Sequence, residues 1–233
     1  MVQIQRIETI RVAIPTRRVH KWQGLKEGTI GDYLLVKLTG DDGNVGWGEA
    51  PALVIVDTTL NFVGTRPQPI LESIAEWPYS CGPAGWEAIS SIQRILSAAR
   101  LAGIPVVYTT GIPPGSETIG PGRWADKTDR AITPEQITLG HSIPDEIKPC
   151  EGELVLRKEK PSAFFGTPLA AYLMDQAVDS LIVCGGATSG CVRATVTDAF
   201  SYNLRVAIPA EATFDRSQTC HVVSLFDLHQ KYA

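Results

Sequence analysis

The sequence predicts an α/β protein, a three-layer Rossmann-like parallel sheet with a short N-terminal antiparallel β-meander. Three observations carry this. From residue 51 onward, short β-branched apolar runs alternate with helical patterns, the order that builds βαβ units and parallel strands. Those runs are continuously apolar, as strands covered on both faces are. The first fifty residues instead alternate apolar with polar, which suits antiparallel strands with one apolar face.

With 233 residues the chain has room for one medium domain, or for a domain with an appendage. Its 44% hydrophobic and 20% charged residues are ordinary for a globular protein, and a net charge of −4 offers neither nucleic acid nor an acidic membrane a basic surface. Small-molecule chemistry is therefore the default. Five cysteines, at 81, 150, 184, 191 and 220, are odd in number and lack any C-x-x-C pair, which suits a reducing compartment and makes the cytoplasm the expected location. The first residues do not form a signal peptide, and no apolar run reaches the length of a membrane span.

Residues 4 to 14 alternate apolar and polar, 33 to 38 form a β-rich run, and 41 to 44 make a tight turn into 45 to 48. Between the first two strands a loop carries Arg17, Arg18, His20, Lys21 and Trp22. This opening, IETIRVAIPTRRVHKW followed by DYLLVKLTGDDGNVGWGEA, resembles the start of the mandelate racemase and muconate lactonising enzyme group of the enolase superfamily. The resemblance implies a capping meander without its catalytic barrel, for which the remaining length is insufficient. The basic loop is then a solvated one, and residues 1–50 form a fragment beside a second unit at 51–233.

That second unit opens with the apolar run 52–56, which ends in Asp57. A buried strand ending in aspartate puts a carboxylate at the carboxyl edge of a sheet, where open α/β proteins keep their sites, although aspartate also ends strands simply as a turn residue. Residues 65 to 83, rich in proline and polar side chains, are expected to form an access loop. Residues 85 to 103 place Ile89, Ile92, Leu96 and Ala99 on one helical face before a glycine stop. A strand follows at 104–109, then a loop-rich stretch to 140 containing Trp124. The histidines, at 20, 141, 221 and 229, are isolated in sequence, which points to structural or solvent roles and to no metal.

A third strand is expected at 153–157, followed by Lys158 and Lys160, and a short helix at 168–177. The run 180–185 reads as a buried strand ending in glycines, with Cys184 a plain core thiol inside it. Val192, Thr195, Ala199 and Phe200 then recur at helical spacing, so Cys191 should open a helix. Helix N-terminal N–H groups favour a thiolate and can cradle an oxyanion, so function is a better reading of Cys191 than packing. The chain closes with a strand at 204–209, the segment Glu211–Arg216, and an amphipathic helix at 217–232 bearing Val222, Leu225 and Leu228.

The segment Gly185 to Ala199 carries the pattern G-x-x-T-S-G-C-V-x-x-T-x-x-D-A, and through it the chain from residue 51 onward resembles the isochorismatase-like cysteine hydrolases. The resemblance implies a catalytic set. Cys191 would be the nucleophile, Asp57 the general acid/base and Lys158, four residues before the serine of K-x-x-x-S-A-F, the third member, leaving Lys160 a solvated lysine. It also implies a cis Gly186–Ala187 bond, with the Ala187 and Cys191 N–H groups facing an oxyanion. Arg216 matches an arginine that pairs with substrate carboxylate, a task suited to a planar guanidinium. The aspartate-histidine-histidine metal cluster of the family's nicotinamidases has no counterpart in spacing here, so no cofactor is expected.

The reaction so implied is hydrolysis of a linear amide or N-carbamoyl bond in a small carboxylate-bearing substrate, by a homo-oligomer without nucleic-acid or membrane partners. Two other readings stand beside it. One is an interaction protein whose pocket the meander blocks, and the other is cleavage of an enol ether, which would not need the cysteine.

Overall fold

The computed structural model describes residues 4–15, 30–40, 45–48, 51–112, 120–124, 126 and 133–233. The basic loop with Arg17, His20 and Lys21 and the turn at 41–44 lie outside the described residues, as does most of the stretch from 113 to 132. Three strands, β1 (Ile4–Pro15), β2 (Ile30–Gly40) and β3 (Val45–Gly48), pair antiparallel in the order β1-β2-β3. Register runs from Pro15 opposite Ile30 to Ile4 opposite Gly40, with an irregularity between Ile4 and Arg6.

The rest of the chain builds a parallel sheet. Its strands are β4 (Pro51–Val56), β5 (Val106–Thr110), β6 (Leu154–Arg157), β7 (Ser180–Gly186), β8 (Arg205–Ala207) and the two-residue β9 (Thr213–Phe214), in the order β6-β5-β4-β7-β8 with β9 also on β7. Side chains alternate along each strand, so one strand feeds two cores. Leu53 and Ile55 of β4 and Ile182 and Cys184 of β7 pack with Ile89, Ile92 and Leu96 on one face. Ala52, Val54 and Val56 pack with Val183, Cys191, Val192 and Val196 on the other. Ala52 to Val56 are fully buried, which is why this segment carries no polar side chain until Asp57.

The helices are α1 (Leu60–Val63), α2 (Ile70–Glu76), α3 (Pro83–Leu101), α4 (Pro134–Leu139), α5 (Leu169–Asp175), α6 (Arg193–Ser201) and α7 (Gln218–Lys231). The access loop expected at 65–83 thus contains a helix, because Ser73 is buried and its hydroxyl shares a hydrogen bond with Ser80 at 2.6 Å, closing the segment on itself. Phe200 and Val222, assigned to buried faces from their spacing, are 50% and 40% exposed, whereas Ala199, Leu225 and Leu228 are buried. Phe200 meets Tyr232 edge-on instead, with centroids 5.4 Å apart.

Two glycines end β7 for different reasons. Gly185 has φ of 100°, and a methyl group there would collide with the Val56 carbonyl of the neighbouring strand; at Gly186 it would enter the Phe214 ring. Gly185→Ala is therefore expected to lower stability by roughly 2–4 kcal/mol through backbone strain and overpacking. Urea unfolding measures this, and a loss under 0.5 kcal/mol, on the same scale, would contradict it.

Candidate active site

Strands β4, β6 and β7, with β5 between the first two, deliver three side chains to one point. Asp57 follows β4 with φ of 41°, in the left-handed region that aspartate tolerates better than most residues. Its backbone N–H donates to Thr109 Oγ1 at 3.1 Å, and that hydroxyl donates to Asp57 Oδ1 at 2.7 Å. Lys158 follows β6, its N–H bonded to the Thr110 carbonyl at 3.0 Å. Its Nζ donates to Asp57 Oδ2 at 2.6 Å and to the Lys160 carbonyl at 3.1 Å. The two side chains are only 3% and 7% exposed. Burial opposes charge on Lys158, yet the Asp57 carboxylate, with Cys191 behind it, outweighs burial and holds the ammonium above its ordinary range.

Cys191 arrives from β7 through a wide turn. The Val192 N–H reaches back five residues to the Ala187 carbonyl at 3.3 Å, so residues 188–192 form a π turn ahead of α6. Such turns recur at functional sites. The Gly186–Ala187 peptide bond is cis. The turn is tied to the β9 corner: Thr188 Oγ1 donates to the Phe214 carbonyl at 3.0 Å, and Ser189 donates through N–H and Oγ to Asp215 Oδ2 at 2.8 and 2.6 Å. Behind it, Thr195 Oγ1 donates to the Cys191 carbonyl and accepts from the Ala163 N–H.

Cys191 is 5% exposed. Burial and then the Asp57 carboxylate push its thiol well above the usual cysteine range, while Lys158 pulls it down. Burial of the sulfur thus opposes the thiolate that a helix N-terminus favours.

These groups share a cavity of about 330 Å³ with Ala187, Gly190, Phe62, Tyr79, Trp124, His141 and Arg216. A more open cleft of about 570 Å³ near the C-terminus has no acidic or thiol side chain in its lining. Arg216 lies 5.5 Å from the Phe62 ring centroid, and among the described residues its buried Nε meets no hydrogen-bond partner. Lys160 is not the solvated lysine its sequence suggested. It is half-buried and donates to the Pro121 carbonyl, while Glu159 accepts from the Gly120 N–H at 2.8 Å, so the pair anchors the segment that carries Trp124. His141 is likewise in the cavity wall and not isolated. Sequence spacing hid it, together with Thr109 and Asp215, because each joins the site through tertiary contacts. Among the described residues no three His, Cys, Asp or Glu side chains converge as metal ligands.

Residues 51–233 match the family model described as "Isochorismatase domain". The chain belongs to the isochorismatase family. It is similar to an N-carbamoylsarcosine amidase from an Arthrobacter species, 35% identical over 192 residues that cover 81% of this chain and 68% of that one. A maleamate amidohydrolase from Pseudomonas putida is 31% identical over 191 residues, covering 81% of this chain and 83% of its own. Among solved structures, an isochorismatase-like hydrolase from Alkaliphilus metalliredigens superposes with a TM-score of 0.63 at 25% identity, over 77% of this chain and 91% of that one. The family match starts at residue 51, and the comparisons do not support the likeness of residues 1–50 to the mandelate racemase and muconate lactonising enzyme opening.

Because burial holds the Cys191 thiol up, the rate of its alkylation by iodoacetamide in the free protein should keep rising through pH 9, about half a unit past the ordinary cysteine value. Mass spectrometry of labelled peptides follows it. A plateau at or below neutral pH would show that the helix and Lys158 prevail over burial.

Proposed function

We propose that this protein hydrolyses a linear amide or N-carbamoyl bond in a small carboxylate-bearing substrate, with Cys191 as nucleophile. The coarse class, a hydrolase of carbon–nitrogen bonds, rests on the amidase and amidohydrolase relatives. The single observation that carries the finer reading is the convergence of a buried thiol with a buried Lys158–Asp57 ion pair in one cavity. In this reading Asp57 takes the thiol proton as the sulfur attacks the carbonyl carbon. Backbone N–H groups of Ala187 and Cys191 hold the oxyanion. The carbon–nitrogen bond breaks as Asp57 returns the proton to nitrogen. Water, deprotonated by Asp57, then cleaves the thioester and restores the thiol. Lys158, paired with Asp57, lowers the cost of each anion that forms.

Arg216 supports the carboxylate part of the proposal. Its unpartnered Nε and its stacking on Phe62 present a planar cation to the cavity, the geometry that suits a carboxylate. We also propose that residues 1–50 are an appendage to the hydrolase unit, that the enzyme works in the cytoplasm, and that it is a homo-oligomer. The exposed Val223 and Phe226 of α7 suit a protein contact.

Ammonia release screened over maleamate, N-carbamoyl amino acids and nicotinamide tests the activity. If the three residues act as a unit, Cys191→Ala, Asp57→Ala and Lys158→Ala should each remove most turnover and the double variants should add little, since cooperating groups are far from additive. Independent multiplying losses would reject the triad. A chain starting at Pro51 is expected to stay soluble and active. Insoluble protein from that truncation would instead make the meander part of the folding unit.

A further inference from the structure

We infer that His141 contacts the substrate, accepting a hydrogen bond from the nitrogen of the scissile amide on the side of the cavity opposite Arg216. The inference rests on the amide-hydrolase reading above and adds to it a residue that selects nitrogen over oxygen at the leaving position.

The backbone around His141 is held on both sides. The Asn61 N–H donates to the Gly140 carbonyl at 2.9 Å, the Leu60 N–H to the Ser142 carbonyl at 3.0 Å, and Thr110 Oγ1 to the His141 carbonyl at 2.7 Å. These bonds fasten the segment to the chain leaving β4 and to the end of β5. The imidazole itself is differently placed. It rests against Gly111, where a methyl group would overlap the ring, and it lines the cavity with Asp57, Lys158 and Cys191. Among the described residues neither ring nitrogen meets a hydrogen-bond partner. A cavity-lining ring whose backbone is fixed by three bonds and whose nitrogens are left without a partner is suited to a ligand, since less ordering remains to be done on binding.

Strand order gives the side. β5 and β7 flank β4, so Asp57 stands between them. His141 packs on the residue after β5, and Arg216 follows β9, which pairs with β7. A short substrate with its carboxylate at Arg216 and its carbonyl at Cys191 therefore turns its nitrogen towards His141. An amide nitrogen shut away from water needs an acceptor for its hydrogens. Burial, opposed by Asp57 and aided by Arg157, moves the imidazole below its ordinary range. It is neutral near pH 7 and keeps one nitrogen lone pair for that bond.

The test compares an amide with the methyl ester of the same acid, which lacks the N–H; maleamate and monomethyl maleate are the first pair. His141→Ala should lower the ratio of amide to ester kcat/KM about tenfold, the worth of one neutral hydrogen bond. His141→Gln, whose amide oxygen can accept, should restore most of that ratio. Gly111→Ala keeps the histidine but unseats its ring, and should reproduce the amide-selective loss. Equal losses on amide and ester would make His141 a packing residue and overturn the inference while leaving the hydrolase reading intact. Should wild-type protein hydrolyse neither compound, nor any amide in the ammonia screen, the hydrolase reading falls and this inference with it.

Discussion

Two opposite charges lie 2.6 Å apart, almost wholly out of water, at the carboxyl edge of the sheet. Removing such ions from water costs several kcal/mol each, and their attraction recovers it only with good geometry and partners for the remaining donors and acceptors. The fold supplies both. Asp57 comes from β4, its second oxygen is met by Thr109 of β5, and Lys158 comes from β6, with its spare hydrogen directed to the Lys160 carbonyl. Three adjacent strands must end in register for the pair to exist. The site is thus a constraint on sheet register as much as a product of it.

The thiol is treated differently. It belongs to the apolar core on the α6 face, packed with Val192 and Val196, and is kept neutral by the burial that makes that core. A third charge in the same volume would have to be held against Asp57. A protonated sulfur adds no such charge beside the ion pair. Hydrogen bonds around the sulfur fix where it sits. Thr188 and Ser189 bind the β9 corner, while Thr195 binds the Cys191 carbonyl. Asp215 accepts from Ser189 through one oxygen and from the Arg216 N–H through the other, so one carboxylate fixes both the Cys191 turn and the backbone of the cavity arginine.

Lys160 and Glu159 extend this economy outward. The chain that positions Lys158 also anchors the segment bearing Trp124, so the charged end of the cavity and part of its aromatic wall are set by three consecutive residues.

The sequence by itself determined the layer architecture, because continuous β-branched runs have only one stable placement, between two helical layers. It also determined which residues end the strands: Asp57 after an uninterrupted apolar run, Lys158 after a short strand, Cys191 after paired glycines. The meander was legible from alternation alone, since a sheet with one wet face must alternate. Tertiary structure decided what spacing cannot encode. His141 enters the cavity because Gly111, thirty residues earlier, leaves room for its ring, and Thr109 becomes part of the site because β5 lies beside β4. Phe200 and Val222 carry helical spacing but face outward, because periodicity fixes a stripe and only the neighbouring layer fixes its width. The protonation of Cys191 was also beyond the sequence. A helix start argues for a thiolate, but the depth of burial that reverses the argument exists only once the strands and helices have packed.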